Sequence, residues 1–306
     1  MKPNRYVRPR LALAYGLFYY GYMAYFPFQT IFLTSAGYDK EAIAILTTCT
    51  AVGNFLIQFP LGRLSGTALS TRRIILLLLA LAIPLGFGPK CFHGTLWVVI
   101  VSTLPITLAD FSLIGQLDSY TLSLPGAQYS TMRTLGSLAG AAATMLLGGF
   151  YTRRGIQHMF WIHGLFMGAC LLCFLPLPDR AAAARQQRRG SGSVRPFLPL
   201  FFGGVLLFLS WRVIMIYLPV LLLERGGNAS HQGTAMSLIS LSVMPVLMLY
   251  PRLRKRFSCR CLLLLGGISM VVRLAIMAVA TDVRTLILAQ LLEALSYGLT
   301  QPTVME

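Results

Sequence analysis

Acidic side chains are scarce in this chain: Asp and Glu together number 9 in 306 residues, and all charged residues make up 11%. Soluble domains carry about 25% charged residues, so a water-soluble globular domain is excluded. Long polar runs are scarce too. The one extended polar interval is Pro178 to Pro196, PDRAAAARQQRRGSGSVRP, and apolar stretches lie on both sides of it. There is no glycine-rich nucleotide loop, no metal-ligand cluster and no nucleophile–base constellation, so neither enzyme chemistry nor a cofactor or metal is expected. Cysteine occurs 6 times, but Cys170-Leu-Leu-Cys173 lies in an apolar run without metal partners, and packing is its expected role.

What is present is hydrocarbon: 56% of the residues are hydrophobic and the mean hydropathy is +0.69. The formal net charge of +17 could point to nucleic acid. The basic residues sit mainly in short loops between apolar spans, however, which is an orientation pattern for a lipid bilayer and excludes nucleic acid as a partner. A spanning helix needs roughly 20 apolar residues. On that rule the spans are Leu11–Leu33, Ala42–Leu61, Ile74–Gly88, Thr95–Leu117, Leu135–Tyr151 and Met159–Leu177 before the polar loop, and Phe197–Leu223, Gly233–Tyr250, Cys261–Val279 and Thr285–Val304 after it. Leu11 to Leu33 is too long for the apolar core of a cleavable signal and reads as a first span. The expectation is an all-α polytopic membrane protein of about ten helices, with a bundle over 1–177, a basic linker over 178–196 and a second bundle over 197–306.

Lys2, Arg5, Arg8, Arg10, Arg63, Arg72, Arg73, the linker arginines, and Arg252, Arg254, Lys255, Arg256 and Arg260 fall on one side of the membrane. Lys40, Lys90, Arg153, Arg154, Arg225 and Arg284 fall on the other. The excess makes the first side cytoplasmic, with the N-terminus and the linker both inside and an even number of spans between them. Arg153 and Arg154 run against that rule.

A charge at the bilayer centre costs about 2.5–3.5 kcal/mol on insertion scales, so intramembrane charges face partners or wet cavities. Arg273 and Glu293 are equidistant from the turn at Asp282-Val283-Arg284, which puts them at one depth, roughly 12 Å from that turn. They can form an ion pair or a proton-relay pair. Asp118 and Arg133 flank the turn near Pro125-Gly126 in the same way, close to the cytoplasmic boundary, and read as an interfacial salt bridge or as snorkelling side chains. Asp110 lies two turns from Asp118, towards the midplane, and Arg212 is mid-span. These two suit either contact with an ionised or sugar-like solute or a structural pairing. Tyr25 belongs to the cluster Tyr19, Tyr20, Tyr22, Tyr25 and Phe26, which can stack a ring or simply pack. His163 reads as a hydrogen-bonded core residue. Gly136 and Gly140, followed by Ala141 to Ala143, form a small-residue helix face, and Pro27, Pro60, Pro84, Pro105 and Pro245 lie in or at the ends of spans.

Six spans, a basic loop and a second set resemble the major facilitator superfamily, and several stretches are similar to the proton-coupled permeases related to lactose and phenylpropionate permeases. These are Tyr25-Phe-Pro-Phe28 with Phe32-Leu33 and Gly37; Asp118; Arg133 with Gly136-Ser137; Arg252 to Ser258 with Val271-Val272-Arg273-Leu-Ala-Ile-Met277; and Gln290-Leu-Leu-Glu293, where relatives read Gln-x-Leu-His. The resemblance implies alternating access, with Arg273 and Glu293 in proton coupling, Asp118 and Arg133 in gating, and a small organic solute and a proton as partners in a bacterial inner membrane. Gly62-Arg-Leu-Ser-Gly66 departs from it by placing glycine where the usual gating motif has aspartate. Pro245 stands near a common acidic position. The fifth span lacks the proline of drug antiporters. The resemblance also implies twelve spans, so a chain truncated after the tenth is expected, and a non-transporting remnant or membrane scaffold is the alternative. No feature signals an oligomeric state.

Overall fold

The computed structural model describes residues 6–64, 69–87, 96–124, 129–179 and 198–305. The linker from 180 onward, Lys2, Arg5, Gly66, Lys90 and the Pro125-Gly126 turn lie outside them. The described residues are almost wholly helical, as the apolar composition requires: in lipid, backbone N–H and C=O groups must be satisfied within the chain, and helices do so locally.

The helices are α1 (Val7–Tyr25), α2 (Gln29–Ser35), α3 (Lys40–Leu64), α4 (Thr71–Phe87), α5 (Leu96–Ser123), α6 (Tyr129–Arg154), α7 (His158–Phe174), α8 (Leu198–Glu224), α9 (Ala229–Arg256), α10 (Cys259–Val279), α11 (Val283–Ala289) and α12 (Glu293–Met305). The expected spans are each found as one helix or one interrupted rod. The first rod is α1 and α2, joined by a 3-10 turn at Phe26–Phe28 around Pro27. The last is α11 and α12, joined by a 3-10 turn at Gln290–Leu292. Pro60, Pro84, Pro105 and Pro245 sit inside continuous helices. By length and composition, 5 of the helices are long and apolar enough to cross a membrane, with His158–Phe174 shorter. Their outward side chains, such as Phe55, Phe59, Val101, Leu146, Leu172, Met248 and Val271, are large and apolar, which suits lipid and not water.

Several ends are built by polar caps. Asn228 accepts from the backbone N–H groups of Ser230 and His231, while His231 Nδ1 accepts from Asn228 N–H, closing a capping box at α9. Asp282 caps α11 through Thr285, whose hydroxyl and backbone N–H hold the exposed carboxyl below the ordinary carboxylate range. Gly226 closes α8 at φ 76°, a left-handed position that glycine adopts without a Cβ penalty.

The chain divides into two units, Met1–Ala143 with Arg154–Gln187, and Thr144–Arg153 with Arg188–Glu306, so α6 is shared between them. In the first, α7 packs on α1 and α4, and α5 packs on α3 and α4, around Leu11, Tyr15, Phe18, Ile75, Leu79, Leu113, Met167 and Phe174. Close approach depends on small residues. A Cβ on Gly136 or Gly140 would collide with Tyr19 or Met23 of α1, so the small-residue face of α6 serves α1 packing. The start of the polar loop is anchored here: Tyr120 donates to the Pro178 carbonyl at 2.9 Å, and Arg73 pairs with Asp179 at 3.3 Å.

In the second unit α12 packs on α9 and α10, with Ile214, Leu218, Leu222, Met236, Met270, Met277 and Leu286 in its core. The end of α6 crosses α9 at Gly148 and Gly233, whose Cα atoms leave no room for a Cβ. Thr144 and Ser237 hydroxyls meet there at 2.9 Å, and Ser230 N–H donates to the Thr152 hydroxyl at 3.0 Å.

Candidate functional site

The last rod is interrupted where its polar residues lie. Ending α11 at Ala289 frees carbonyls of its last turn, of which Leu286 O takes the Gln290 amide, and beyond the interruption Ser269 of α10 donates to Leu292 O at 3.0 Å. The turn presents Gln290 and Glu293 to Arg273 on α10. All three side chains are buried, Arg273 and Gln290 at 0% exposure and Glu293 at 1%. Arg273 forms an ion pair with Glu293 through Nη1 and donates from Nε to Gln290 Oε1 at 3.1 Å. Gln290 is itself held by donating to the Leu286 carbonyl at 2.7 Å. The second oxygen of Glu293 accepts from the indole N–H of Trp211 on α8 at 2.7 Å, and Ser296 donates to the first at 3.1 Å.

This carboxylate is surrounded by donors and has no exposure to water. Oε2 takes both Arg273 and Ser296 while Oε1 takes Trp211, and Gln290 holds the guanidinium independently of Glu293. Trp211 also stacks on Tyr297, ring centroids 5.8 Å apart and planes at 27°, which places an aromatic pair beside the acid. Arg212, next on α8, is half-buried.

The first unit holds two polar clusters. Asp118 accepts from the Tyr15 hydroxyl at 3.0 Å, and Thr121 lies 2.9 Å from the same hydroxyl. Arg133 stands 3.9 Å from Asp118, at the long limit of an ion pair, and lies over the Tyr19 ring at 4.8 Å. Deeper along α5, Asp110 meets His163 of α7, whose Nε2 is 3.1 and 3.0 Å from the two carboxylate oxygens. Tyr25 is buried beside them, its ring 5.4 Å from His163, and its hydroxyl accepts from Gln29 at 2.9 Å.

Sequence spacing brings Arg273 to Glu293 and Asp118 to Arg133. It misses Trp211, Tyr15 and the pairing of Asp110 with His163. A depth argument would have found the last: Asp110 precedes Pro125 by 15 residues and His163 precedes Pro178 by 15, and the two helices descend in the same sense. Among the described residues no group of His, Cys, Asp or Glu could hold a metal ion.

The profile of the Major Facilitator Superfamily matches residues 11–306. The chain is 26% identical to the maltose permease of Geobacillus stearothermophilus over 96% of this chain and 77% of that protein. It is also 26% identical to the probable 3-phenylpropionic acid transporter of Escherichia coli K12, over 92% of this chain and 77% of that one. Among solved structures, the nucleoside transporter NupG superposes with a TM-score of 0.77 at 14% identity, covering 97% of this chain and 80% of NupG. A bacterial homologue of the human lysosomal transporter Spinster gives 0.69 at 12% identity, over 99% and 75%. At these identities the structures speak to the fold alone. The match to the family over almost the whole chain fixes the rest: this protein belongs to the Major Facilitator Superfamily, a secondary transporter and not an enzyme.

Proposed function

We propose that the chain is a proton-coupled importer of a small polar or aromatic organic solute, working by alternating access in a bacterial inner membrane. The observation that carries this reading is the buried Arg273–Glu293 pair at an interrupted helix, with Gln290 bonded to the same arginine. Glu293 takes the proton and Arg273 responds to it. Asp118 and Arg133 act as a gate whose loose 3.9 Å contact opens at small cost. Tyr25 and Asp110 of the first unit, and Arg212 of the second, are the residues assigned to contact with the solute, each within its own unit. The bundle over 1–177 and that over 197–306 are joined by the cytoplasmic linker 178–196, with the N-terminus on the same side, as the Lys and Arg distribution supports.

The relatives supply the first solutes to try. In proteoliposomes with an imposed pH gradient, labelled maltose or 3-phenylpropionate should accumulate uphill with the wild-type chain. Glu293→Gln should abolish uphill accumulation while sparing exchange of solute for solute. Undiminished uphill uptake by that variant would remove Glu293 from proton coupling.

A further inference from the structure

We propose that Asp110 and His163 form a second proton-binding site, carried wholly by the first unit and separate from Glu293. The couple lies in the apolar interior, His163 at 0% and Asp110 at 1% exposure. One ring nitrogen, Nε2, serves both carboxylate oxygens, at 3.1 and 3.0 Å. The other, Nδ1, is buried and has no hydrogen-bond partner among the described residues. In a static clamp the second nitrogen is normally tied to a carbonyl or carboxylate, which fixes the tautomer. Here nothing fixes it. A purely adhesive contact between membrane helices is made as well by neutral hydroxyls or amides, as Thr144 and Ser237 do. An ionisable pair is the costlier choice, and such residues mark proton and substrate paths.

The exchange is simple to write. With the ring neutral, Nε2–H donates to Asp110 and the Nδ1 lone pair is empty of protons. A hydronium ion gives its proton to Nδ1: one O–H bond breaks as the Nδ1–H bond forms, water leaves, and the imidazolium stands against the carboxylate with the Nε2–Asp110 bond kept; release to water reverses the step.

The surroundings contain few competitors. From α1, Tyr25 faces the ring, with Gln29 bound to its hydroxyl. From α5, Thr107 lies next to Tyr25. On α4, the sequence from Ile74 to Phe87 contains no ionisable residue. On α3, whose Gly53 meets Leu104 and Leu108 of α5, the ionisable residues are Lys40, Glu41, Cys49 and Arg63. Gly21 lets α1 and α7 approach closely beside the couple, since a Cβ there would strike Phe166 of α7 at 2.9 Å.

Histidine-selective ¹⁵N spectra of the full chain in lipid nanodiscs test the proposal without any solute. The chain has 4 histidines, and the signal lost in His163→Gln identifies the ring. Should that variant fail to fold, replacing His93, His158 and His231 leaves the same signal alone. The wild-type ring should pass from singly to doubly protonated as the bath is acidified. In Asp110→Asn it should stay neutral through the same acidification, and in Glu293→Gln the wild-type transition should persist. A ring fixed in one protonation state in the wild type, or a transition unaltered by Asp110→Asn, overturns the couple. A transition lost in Glu293→Gln overturns its independence. Either result leaves the uptake test of Glu293 to stand or fall by itself.

Discussion

Arg273 and Glu293 are neither exposed nor dispensable to one another. Removing one partner of a buried pair leaves an uncompensated charge, at a cost of about 3–5 kcal/mol, whereas replacing both by apolar groups of similar volume is often neutral. Arg273→Met should therefore lower the thermal stability of the detergent-solubilised chain sharply. Arg273→Met combined with Glu293→Leu should recover most of that loss while remaining unable to accumulate solute against a gradient. A double variant as unstable as the single one would mean that Gln290 and Trp211, not the charge balance, hold the cluster. The pair itself could be read from sequence because both residues are counted from one short turn, and helical rise converts that count to depth. Trp211 could not, because its contact with Glu293 spans 82 residues of sequence and an indole in an apolar run looks like packing until its N–H must find an acceptor. Tyr15 escaped for the same reason, being one of many aromatics along α1.

Helix existence was the most legible feature, since runs of about 20 apolar residues with polar punctuation allow little else in a bilayer. The two interruptions were not legible. Pro27 signals one of them, but Gln290-Leu-Leu carries no breaker, and the 3-10 turn there is supported from outside by Ser269 on the Leu292 carbonyl. The small-residue face of α6 was visible at Gly136 and Gly140, whereas its partner stretch at Gly148 and Gly233 needs two helices to be recognised. That crossing brings backbone against backbone, with the Thr144 carbonyl where a Gly233 Cβ would be built. Gly233→Leu should push α9 away from the end of α6 and break the Thr144–Ser237 contact, lowering the melting temperature well beyond what Gly267→Leu does, since a Cβ at Gly267 meets nothing within 4 Å. Equal melting temperatures for the two variants would show that the crossing contributes little.

Each unit repeats one packing pattern: α3 and α4 close on α5 in the first, α9 and α10 close on α12 in the second. The sequence hides this repetition, because lipid-facing and core-facing positions are both apolar and only the small and polar residues distinguish them. What the sequence does display is the sidedness of the chain. Arginine and lysine crowd the loops at the ends of α3, α9 and the sixth span and thin out at the opposite turns, and on that distribution we propose that the linker lies inside and the Asp282 turn outside. The arrangement can be checked with single cysteines in a background whose 6 native cysteines are replaced by serine. In intact cells a membrane-impermeant maleimide should label Thr281→Cys, an exposed position in the outer turn, and spare Gln187→Cys in the linker until the membrane is opened. The reverse pattern would invert the protein, and with it the direction assigned to import, since Arg153 and Arg154 would then lie on the side that the positive-inside rule favours while the far larger basic cluster would lie against it.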